Sequence, residues 1–213
     1  MLENGIHDVP RGRIAVVITH LAMTTRPEID PAPEPDDPYI TPVAHPTAGW
    51  YRDLFFRVGG RDWLWASRLR LSNAALEQII QDKDTHILAV FHKGRAKGLA
   101  ELRFDSVGAC ELSFFGLSRD LIGQGIGHAL MTRTLAAAWS RPITRLTLAT
   151  CTADSPRALT FYQRHGFQPT RQQIEIADDP RLDCTLPETA GPHVPIFRPE
   201  SEAGSSSPQK TSG

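Results

Sequence analysis

Three glycines alternate within LIGQGIGHAL, the segment that covers residues 121–130. Gly123, Gly125 and Gly127 follow a strand-like run and precede an amphipathic, helix-like run. Glycine lets successive backbone amides turn toward one point because it has no Cβ atom in the way. The start of a helix adds unpaired N–H groups and about half a positive charge. The segment is therefore suited to bind an anion such as a diphosphate.

The spacing of these glycines excludes two common nucleotide-binding loops. A G-x-G-x-x-G dinucleotide motif needs glycine at position 128 or 130, where the chain has His128 and Leu130. A G-x-x-x-x-G-K-[ST] phosphate loop occurs nowhere in the sequence. From the residues alone, two interpretations remain: a nest for a different diphosphate, or a glycine-rich turn that packs a strand tightly against a helix.

The apolar periodicity around this loop predicts the element order β–α–α–β–β–β–α–β–α–β, which belongs to the mixed α/β class. Alternating or β-branched runs predict strands over residues 13–23, 86–92, 98–105, 110–117, 145–151 and 168–176. Helical spacing and caps predict helices over residues 73–82 and 129–139 and from Ser155-Pro156 to His165. The spacing of Trp63, Trp65 and Leu69 also suggests helical turns within residues 50–70.

Proline marks the expected domain boundaries, because each ring fixes φ and removes an amide donor. Of 17 prolines, seven lie in residues 26–46 and six follow Ala177. We expect an N-terminal strand of the core sheet within residues 1–25, a Pro-rich surface connection over 26–46 and the main domain over 47–176. The Pro-, Ser- and Gly-rich residues 177–213 predict a largely disordered tail, so that a chain ending near Arg181 keeps its activity and melting temperature.

Charge and cysteine content exclude several classes of protein. The net charge is −1, from 23 basic and 24 acidic residues, so no overall field favours nucleic acid or an anionic membrane. Cys110, Cys151 and Cys184 lack the paired spacing of a disulfide scaffold or zinc site, and no H-x-x-H pattern suggests another metal. No apolar run reaches the ~18 residues of a membrane span. These features predict a soluble cytoplasmic protein without a bound metal.

Motifs in the second half of the chain resemble the GNAT superfamily of acetyl-CoA-dependent N-acetyltransferases. The family motif [QR]-x-x-G-x-[GA] matches at Gly125 and Gly127, while Ile122 stands where Gln or Arg is usual. The Y-x-x-x-G-F ending of the family's fourth helix matches the residues from Tyr162 to Phe167. Ala158 also fits this helix, whereas Ser155 replaces the usual Asn at its start.

The strand CELSFFGL, residues 110–117, is similar to the family's splayed fourth strand, and the three motifs occur in the family's order. The stretches GGRDWLWASRLRLS, ELSFFGL and TCTADSPRALTFYQRHGF also look like a bacterial GNAT subgroup. The resemblance implies a mostly antiparallel central sheet with helices on both faces, in which the family's parallel fourth and fifth strands splay apart. The family sheet closes with two strands. Residues 168–176 supply one, and residues 193–197 or a partner subunit in a homodimer are alternatives for the other.

The resemblance also implies acetyl-CoA as the co-substrate. Its pantetheine arm would pair with backbone groups near a bulge at Gly116. The residues expected to contact it are Phe115, Leu117, Ile122, Gly123, Gln124, Gly125, Ile126, Gly127, His128, Ser155 and Tyr162.

Acetyl transfer requires a neutral amine and a stabilised leaving thiolate. Deprotonating an amine with a pKa near 10.4 costs roughly 4–5 kcal/mol at neutral pH. Family position makes Tyr162 the expected general acid toward the sulfur, and Glu111 the expected base, with Glu101 on the preceding strand as its competitor. Cys151 offers a less favoured covalent route.

Aromatic residues cluster before the second predicted helix, where the family places its acceptor cleft. They are Trp50, Tyr51, Phe55, Trp63 and Trp65. Such side chains suit an apolar amine or a cation over a ring, but core packing is expected to account for most of the five. The resulting hypothesis is acetylation of a primary amine of a small molecule by direct attack in a ternary complex. The alternatives are a protein or peptide acceptor, or a non-catalytic acyl-CoA-binding module.

Overall fold

The strand-like runs form one seven-stranded sheet in the computed structural model, which describes residues 3–29 and 37–200. The strands are β1 Arg13–Met23, β2 Tyr39–Pro42, β3 Thr85–His92, β4 Arg95–Phe104, β5 Ala109–Leu117, β6 Arg145–Cys151 and β7 Gln168–Asp178. Their order is β2-β3-β4-β5-β6-β1-β7, and every neighbouring pair is antiparallel except β5–β6. This arrangement confirms the predicted mixed, mostly antiparallel sheet.

Helices cover both faces of this sheet. They are α1 Ala48–Phe55, α2 Arg61–Trp63, α3 Asn73–Ile80, α4 Ile126–Ala138 and α5 Ala158–Arg164. Alternate residues of β3 separate the two cores: Leu88 and Val90 pack under α4 and α5, whereas Ile87 and Ala89 pack under α1 and α3. None of the helices in the described ranges is long and apolar enough to cross a bilayer.

The parallel pair β5–β6 separates partway along its length. The strands pair only from Ala109 with Arg145 to Glu111 with Thr147, and beyond that point they diverge. The predicted bulge at Gly116 is wrong, because the register shift against β4 leaves Ser113 as the extra residue. Gly116 has a packing role instead, since a Cβ atom there would lie 2.7 Å from Val58 Cγ1.

The segment that follows α1 is less helical than the sequence suggests. The chain passes through a π-helical turn, Phe56–Gly60, and α2 ends at Leu64, which has a left-handed φ of 58°. Of the residues predicted to lie in helical turns, Trp63 lies in α2 and Trp65 lies in no helix. Leu69 lies in an isolated turn, in which the amides of Leu69 and Arg70 donate hydrogen bonds to the Ala66 carbonyl oxygen. A Cβ atom on Gly59 would lie 1.9 Å from the Trp65 ring, so the chain can fold back here only because glycine leaves room for the indole.

The strand that pairs with β7 is β1. The sequence analysis expected this strand to come from residues 193–197 or from a partner subunit. Ile18 pairs with Cys151 on one side and with Gln173 on the other, so β1 lies between β6 and β7. Residues 193–197 form no strand. The short β2, within the predicted Pro-rich connection, is an edge strand, as its prolines require. Residues 30–36 of that connection lie outside the described residues.

The predicted disorder of the C-terminal tail is wrong for residues 179–197. Arg181 and Asp179 form a buried ion pair of 2.7 Å, and each side chain is 1% exposed. Arg181 Nη1 also donates hydrogen bonds to the carbonyl oxygens of Ala190, Gly191 and Val194. The Arg181 guanidinium therefore binds backbone carbonyl groups of a segment that has no regular secondary structure, which amino-acid composition could not predict. Residues 201–213 lie outside the described residues.

Candidate active site

A cavity of about 580 Å³ opens where β5 and β6 diverge. One end, the glycine side, is lined by the loop before α4 and by α5. The other end, the tryptophan side, is lined by Ile18, Trp63, Trp65, Asp154 and Glu175. Most of the predicted contact residues line this single cavity: Phe115, Leu117, Ile122, Gly123, Gly125, Gly127, His128, Ser155 and Tyr162. These residues come from three separate parts of the chain: β5, the loop before α4, and the region of α5.

The glycine loop has the geometry of an anion nest. Gly123 and Gly125 have φ values of 87° and 80°, and a Cβ atom on either would meet nothing within 4 Å. No side chain caps α4. Within the described ranges, the backbone amides of residues 123 to 127 have no hydrogen-bond partner. Unpaired amides at a helix start and open space before them fit the diphosphate of coenzyme A.

Two of the predicted contact residues support the loop from outside the cavity lining. The Gln124 side chain donates a hydrogen bond of 2.7 Å from Nε2 to the carbonyl oxygen of Asp120. Ile126 packs against the core beneath α4. Any contact of these two residues with a diphosphate would therefore come from their backbone amides.

Tyr162 lines the cavity and has a free hydroxyl. The side chain is 8% exposed, and its ring packs against those of Phe115 and Phe167. Its hydroxyl makes no hydrogen bond to any residue that the structure describes. Burial, and secondarily the charge of Asp154, raises the pKa of this phenol. Tyr162 is therefore a protonated donor at neutral pH.

Neither predicted carboxylate base lines this cavity. Glu111 is exposed at the start of β5, where the strands still pair, and it lines a separate cavity with Arg103 and Arg145. Glu101 is fully buried and accepts hydrogen bonds from the Tyr51 hydroxyl and from Arg68 Nη2, the latter at 2.6 Å. The assignments of Glu111 and Glu101 as the base are therefore corrected. Glu111 lies outside the cavity, and Glu101 is buried in an ion pair with Arg68.

The sequence analysis missed two carboxylates that do line the cavity. Asp154 accepts hydrogen bonds from Trp65 Nε1 at 3.1 Å, from the Thr150 hydroxyl at 2.8 Å and from the Cys151 amide at 2.9 Å. Asp154 lies between a predicted strand and a predicted helix, and this position could have identified it as a candidate site residue. Glu175 lies in the middle of β7, where no motif marks it.

Cys151 lines the tryptophan side but is a poor nucleophile. Burial, and then the charge of Asp154, raises the pKa of its thiol to about 11. The thiolate required for covalent catalysis is therefore scarce at neutral pH.

Only two of the five clustered aromatic residues reach the cavity. Tyr51 and Phe55 are fully buried, and Trp50 packs against the core of α1 and α3. Trp63 and Trp65 line the tryptophan side. The Trp63 ring lies 5.6 Å from the His193 ring, whose Nε2 is 3.0 Å from the Ala153 carbonyl oxygen. The C-terminal segment therefore helps to hold the wall formed by these tryptophans.

Two histidines contact each other at the start of α4. His128 Nδ1 lies 2.9 Å from His165 Nε2, and His165 Nδ1 lies 2.8 Å from the Phe161 carbonyl oxygen. Since that carbonyl can only accept, Nδ1 of His165 carries its proton and Nε2 accepts from His128. Burial lowers the pKa of His165. The described residues contain no cluster of three or more side chains suited to a metal ion.

Comparisons with known proteins agree with this geometry. The family model of the acetyltransferase (GNAT) domain matches residues 66–178, more than half of the chain. A search of curated protein sequences gave no significant match.

Solved structures with the same fold are distant in sequence. A GCN5-related N-acetyltransferase from Sphaerobacter thermophilus aligns with a TM-score of 0.58 at 14% identity, over 77% of this chain and 52% of that one. A tandem GNAT protein from the clavulanic acid biosynthesis pathway gives 0.57 at 16%, over 81% and 55%. A GNAT-family protein described as a putative acetyltransferase, from Novosphingobium aromaticivorans, gives 0.53 at 18%, over 81% and 69%.

The chain spans about half the length of the first two of these structures. The likeness therefore concerns the shared domain, and at these identities it shows the fold alone. Taken with the family-model match and the splayed β5–β6 pair, it shows that this chain belongs to the GNAT acetyltransferase family.

Proposed function

We propose that this protein transfers the acetyl group of acetyl-CoA to a primary amine of a small molecule, by direct attack in a ternary complex. One observation carries the proposal: a single cavity joins an anion nest to an aromatic and acidic end through the gap between β5 and β6. A diphosphate-bearing donor and a separate amine can therefore meet in that gap.

The glycine side supplies the groups that would hold coenzyme A. The amides of residues 123 to 127 face the diphosphate, and the side chains of His128 and Arg157 line the same region. Acetyl-CoA supplies an activated acyl group as a thioester. Beyond Glu111, the edge of β5 that faces β6 has no partner strand among the described residues, so its backbone is available to the pantetheine arm.

Tyr162 serves as the hydrogen-bond donor to the departing sulfur. Its hydroxyl is protonated and unpaired within the described residues, and Tyr162 lines the cavity. Asp154 is already bonded by three donors, so it fixes Trp65 and the end of β6 and does not act as a base. The amine loses its proton to water in the open cavity. Holding the two reactants together supplies up to about 7–11 kcal/mol, which exceeds the roughly 4–5 kcal/mol of amine deprotonation.

The structure around the tryptophan side, where the acceptor would bind, favours a small molecule over a protein. The loop that carries Trp63 and the C-terminal segment pack together beside it, through Leu64 against Leu186 and Ala190. This packing leaves a pocket flanked by two chain segments.

Two measurements test the proposal. Calorimetric titration with acetyl-CoA is expected to show binding, and a thiol-release assay with a library of amines is expected to show turnover. Binding without turnover by any amine would favour a non-catalytic acyl-CoA module. Absence of binding would remove the proposal entirely.

A further inference from the structure

The charges that line the cavity are separated by sign. The cavity is lined by two basic side chains, His128 and Arg157, and by two acidic side chains, Asp154 and Glu175. The two basic residues precede or begin helices α5 and α4, on the glycine side. Both carboxylates lie on the tryptophan side, since Asp154 bonds the Trp65 indole and Glu175 lies on β7. The acceptor end is therefore negative.

The two carboxylates differ in the number of hydrogen bonds that they accept from the described residues. Asp154 has three donors, so its charge is fixed in place. Glu175 makes no hydrogen bond and no ion pair with any residue in the described part of the chain. An unpaired carboxylate that lines an aromatic cavity is available to a ligand cation.

Strand register places Glu175 at a definite distance from the gap. Ile18 pairs with both Cys151 and Gln173, and paired residues share one face of the sheet, so Glu175 faces the same side as Cys151. Two strand spacings and two residues along β7 separate them by roughly 12 Å between Cα atoms. A carboxylate at this distance reaches the far end of an acceptor and not its reacting nitrogen.

We infer, on the basis of the proposed function, that the acceptor is a dication: a primary amine on an aliphatic stem with a second positive group, which Glu175 binds beside Trp63 and Trp65. An anion next to the reacting nitrogen would keep it protonated and slow the attack. A carboxylate that binds the other end avoids this problem. It anchors the stem while the reacting amine enters the gap between β5 and β6.

The test compares three amines of similar length and different charge: putrescine, butylamine and γ-aminobutyrate. Each is titrated by calorimetry into the protein saturated with coenzyme A, and each is assayed for thiol release with acetyl-CoA. We expect putrescine to bind about fivefold more tightly than butylamine, the upper size of effect of one exposed ion pair, and γ-aminobutyrate to bind least.

Glu175→Gln is expected to abolish the preference for putrescine by raising its KM, with kcat nearly unchanged. Glu28→Gln is the matched control, because Glu28 is also exposed and unpaired among the described residues but does not line the cavity. This control should keep the preference. Equal binding of putrescine and butylamine, or a preference that survives in Glu175→Gln, would overturn the inference.

The two readouts separate this inference from the proposed function. If putrescine binds with the expected preference but no amine releases thiol, acetyl transfer is wrong and the cation site stands. If all three amines are acetylated with equal efficiency and bind equally, acetyl transfer stands and the cation site is wrong.

Discussion

The two ends of the cavity are built by different kinds of structure. On the glycine side, one short stretch of chain, residues 122 to 128, supplies the loop, the positive φ angles and the helix start. On the tryptophan side, the wall combines the turn after α1 with strand β1 and the edge strand β7, and the C-terminal segment supports it. Together these parts span more than a hundred residues of the chain.

This difference explains what each end can do. A diphosphate is bound by backbone amides, and a local glycine pattern is enough to arrange them. An acceptor is selected by side chains, which depend on packing between distant segments. The binding of coenzyme A should therefore tolerate damage to the tryptophan side.

Arg181→Met should have the largest effect, because it leaves Asp179 as a buried unpaired charge and removes the donor to three carbonyl groups. We expect the free energy of unfolding to fall by about 3–5 kcal/mol, measured by denaturant titration. Arg198→Met is the control, since Arg198 forms only an exposed ion pair with Glu188. Equal stability of the two variants would show that the C-terminal segment does not depend on Arg181.

Tyr162→Phe tests the proposed hydrogen-bond donor to the departing sulfur. Loss of the hydroxyl should lower kcat by about ten- to a hundredfold while the acetyl-CoA affinity and melting temperature stay the same, because no described residue bonds to that hydroxyl. Tyr39→Phe removes the same atom from an exposed ring at the sheet edge and should not change kcat. An unchanged kcat in Tyr162→Phe would reject its role as the donor.

Gly59→Ala should damage the tryptophan side alone. The new methyl group would overlap the Trp65 ring, whose nearest atom lies 1.9 Å from an ideal Cβ position, so the indole must move away from Asp154. We expect kcat/KM for the amine to fall about tenfold, from overpacking of roughly 1–3 kcal/mol, with the acetyl-CoA affinity retained. Gly49→Ala, in α1 with nothing within 4 Å, should leave both unchanged. A parallel loss of acetyl-CoA binding would contradict the independence of the two ends.

Gly125→Ala should damage the glycine side alone, with a smaller effect. Its φ of 80° strains any side chain by about 1–2 kcal/mol, and the methyl group would enter the open nest. We expect acetyl-CoA to bind about fivefold more weakly by calorimetry. Gly94→Ala, at φ 71° in the β3–β4 turn, carries the same strain outside the cavity and should keep full affinity. Equal loss in both variants would mean that strain, and not the nest, causes the change.

The same contrast decides what the sequence could predict. The fold class follows from local patterns and was confirmed. The glycine loop and Tyr162 were also chosen from local motifs, and both line the cavity. The predicted bases lie outside the cavity because the point at which β5 and β6 diverge, and the pairing of Glu101 with Arg68, depend on contacts between segments far apart in the chain. No composition rule could show that Arg181 would organise residues 179–197.

Glu175 and Trp65 show the limit in another way. Glu175 reaches the cavity because β1 lies between β6 and β7, and no motif in β7 predicts this arrangement. Trp65 has helical spacing in the sequence, but Gly59 gives the chain a different path. In both cases a neighbour distant in sequence or a missing side chain determines the outcome.

The position of β1 has a consequence for biosynthesis. Val17 bonds to Thr152, 135 residues later, and His20 bonds to Gln173, 153 residues later. At roughly 5–20 residues per second, a ribosome needs about 7–27 seconds to make the first of these partners. Throughout that time the β-branched β1 segment lacks both of the strands that flank it in the folded protein, so its place in the sheet is filled only after most of the chain has been made.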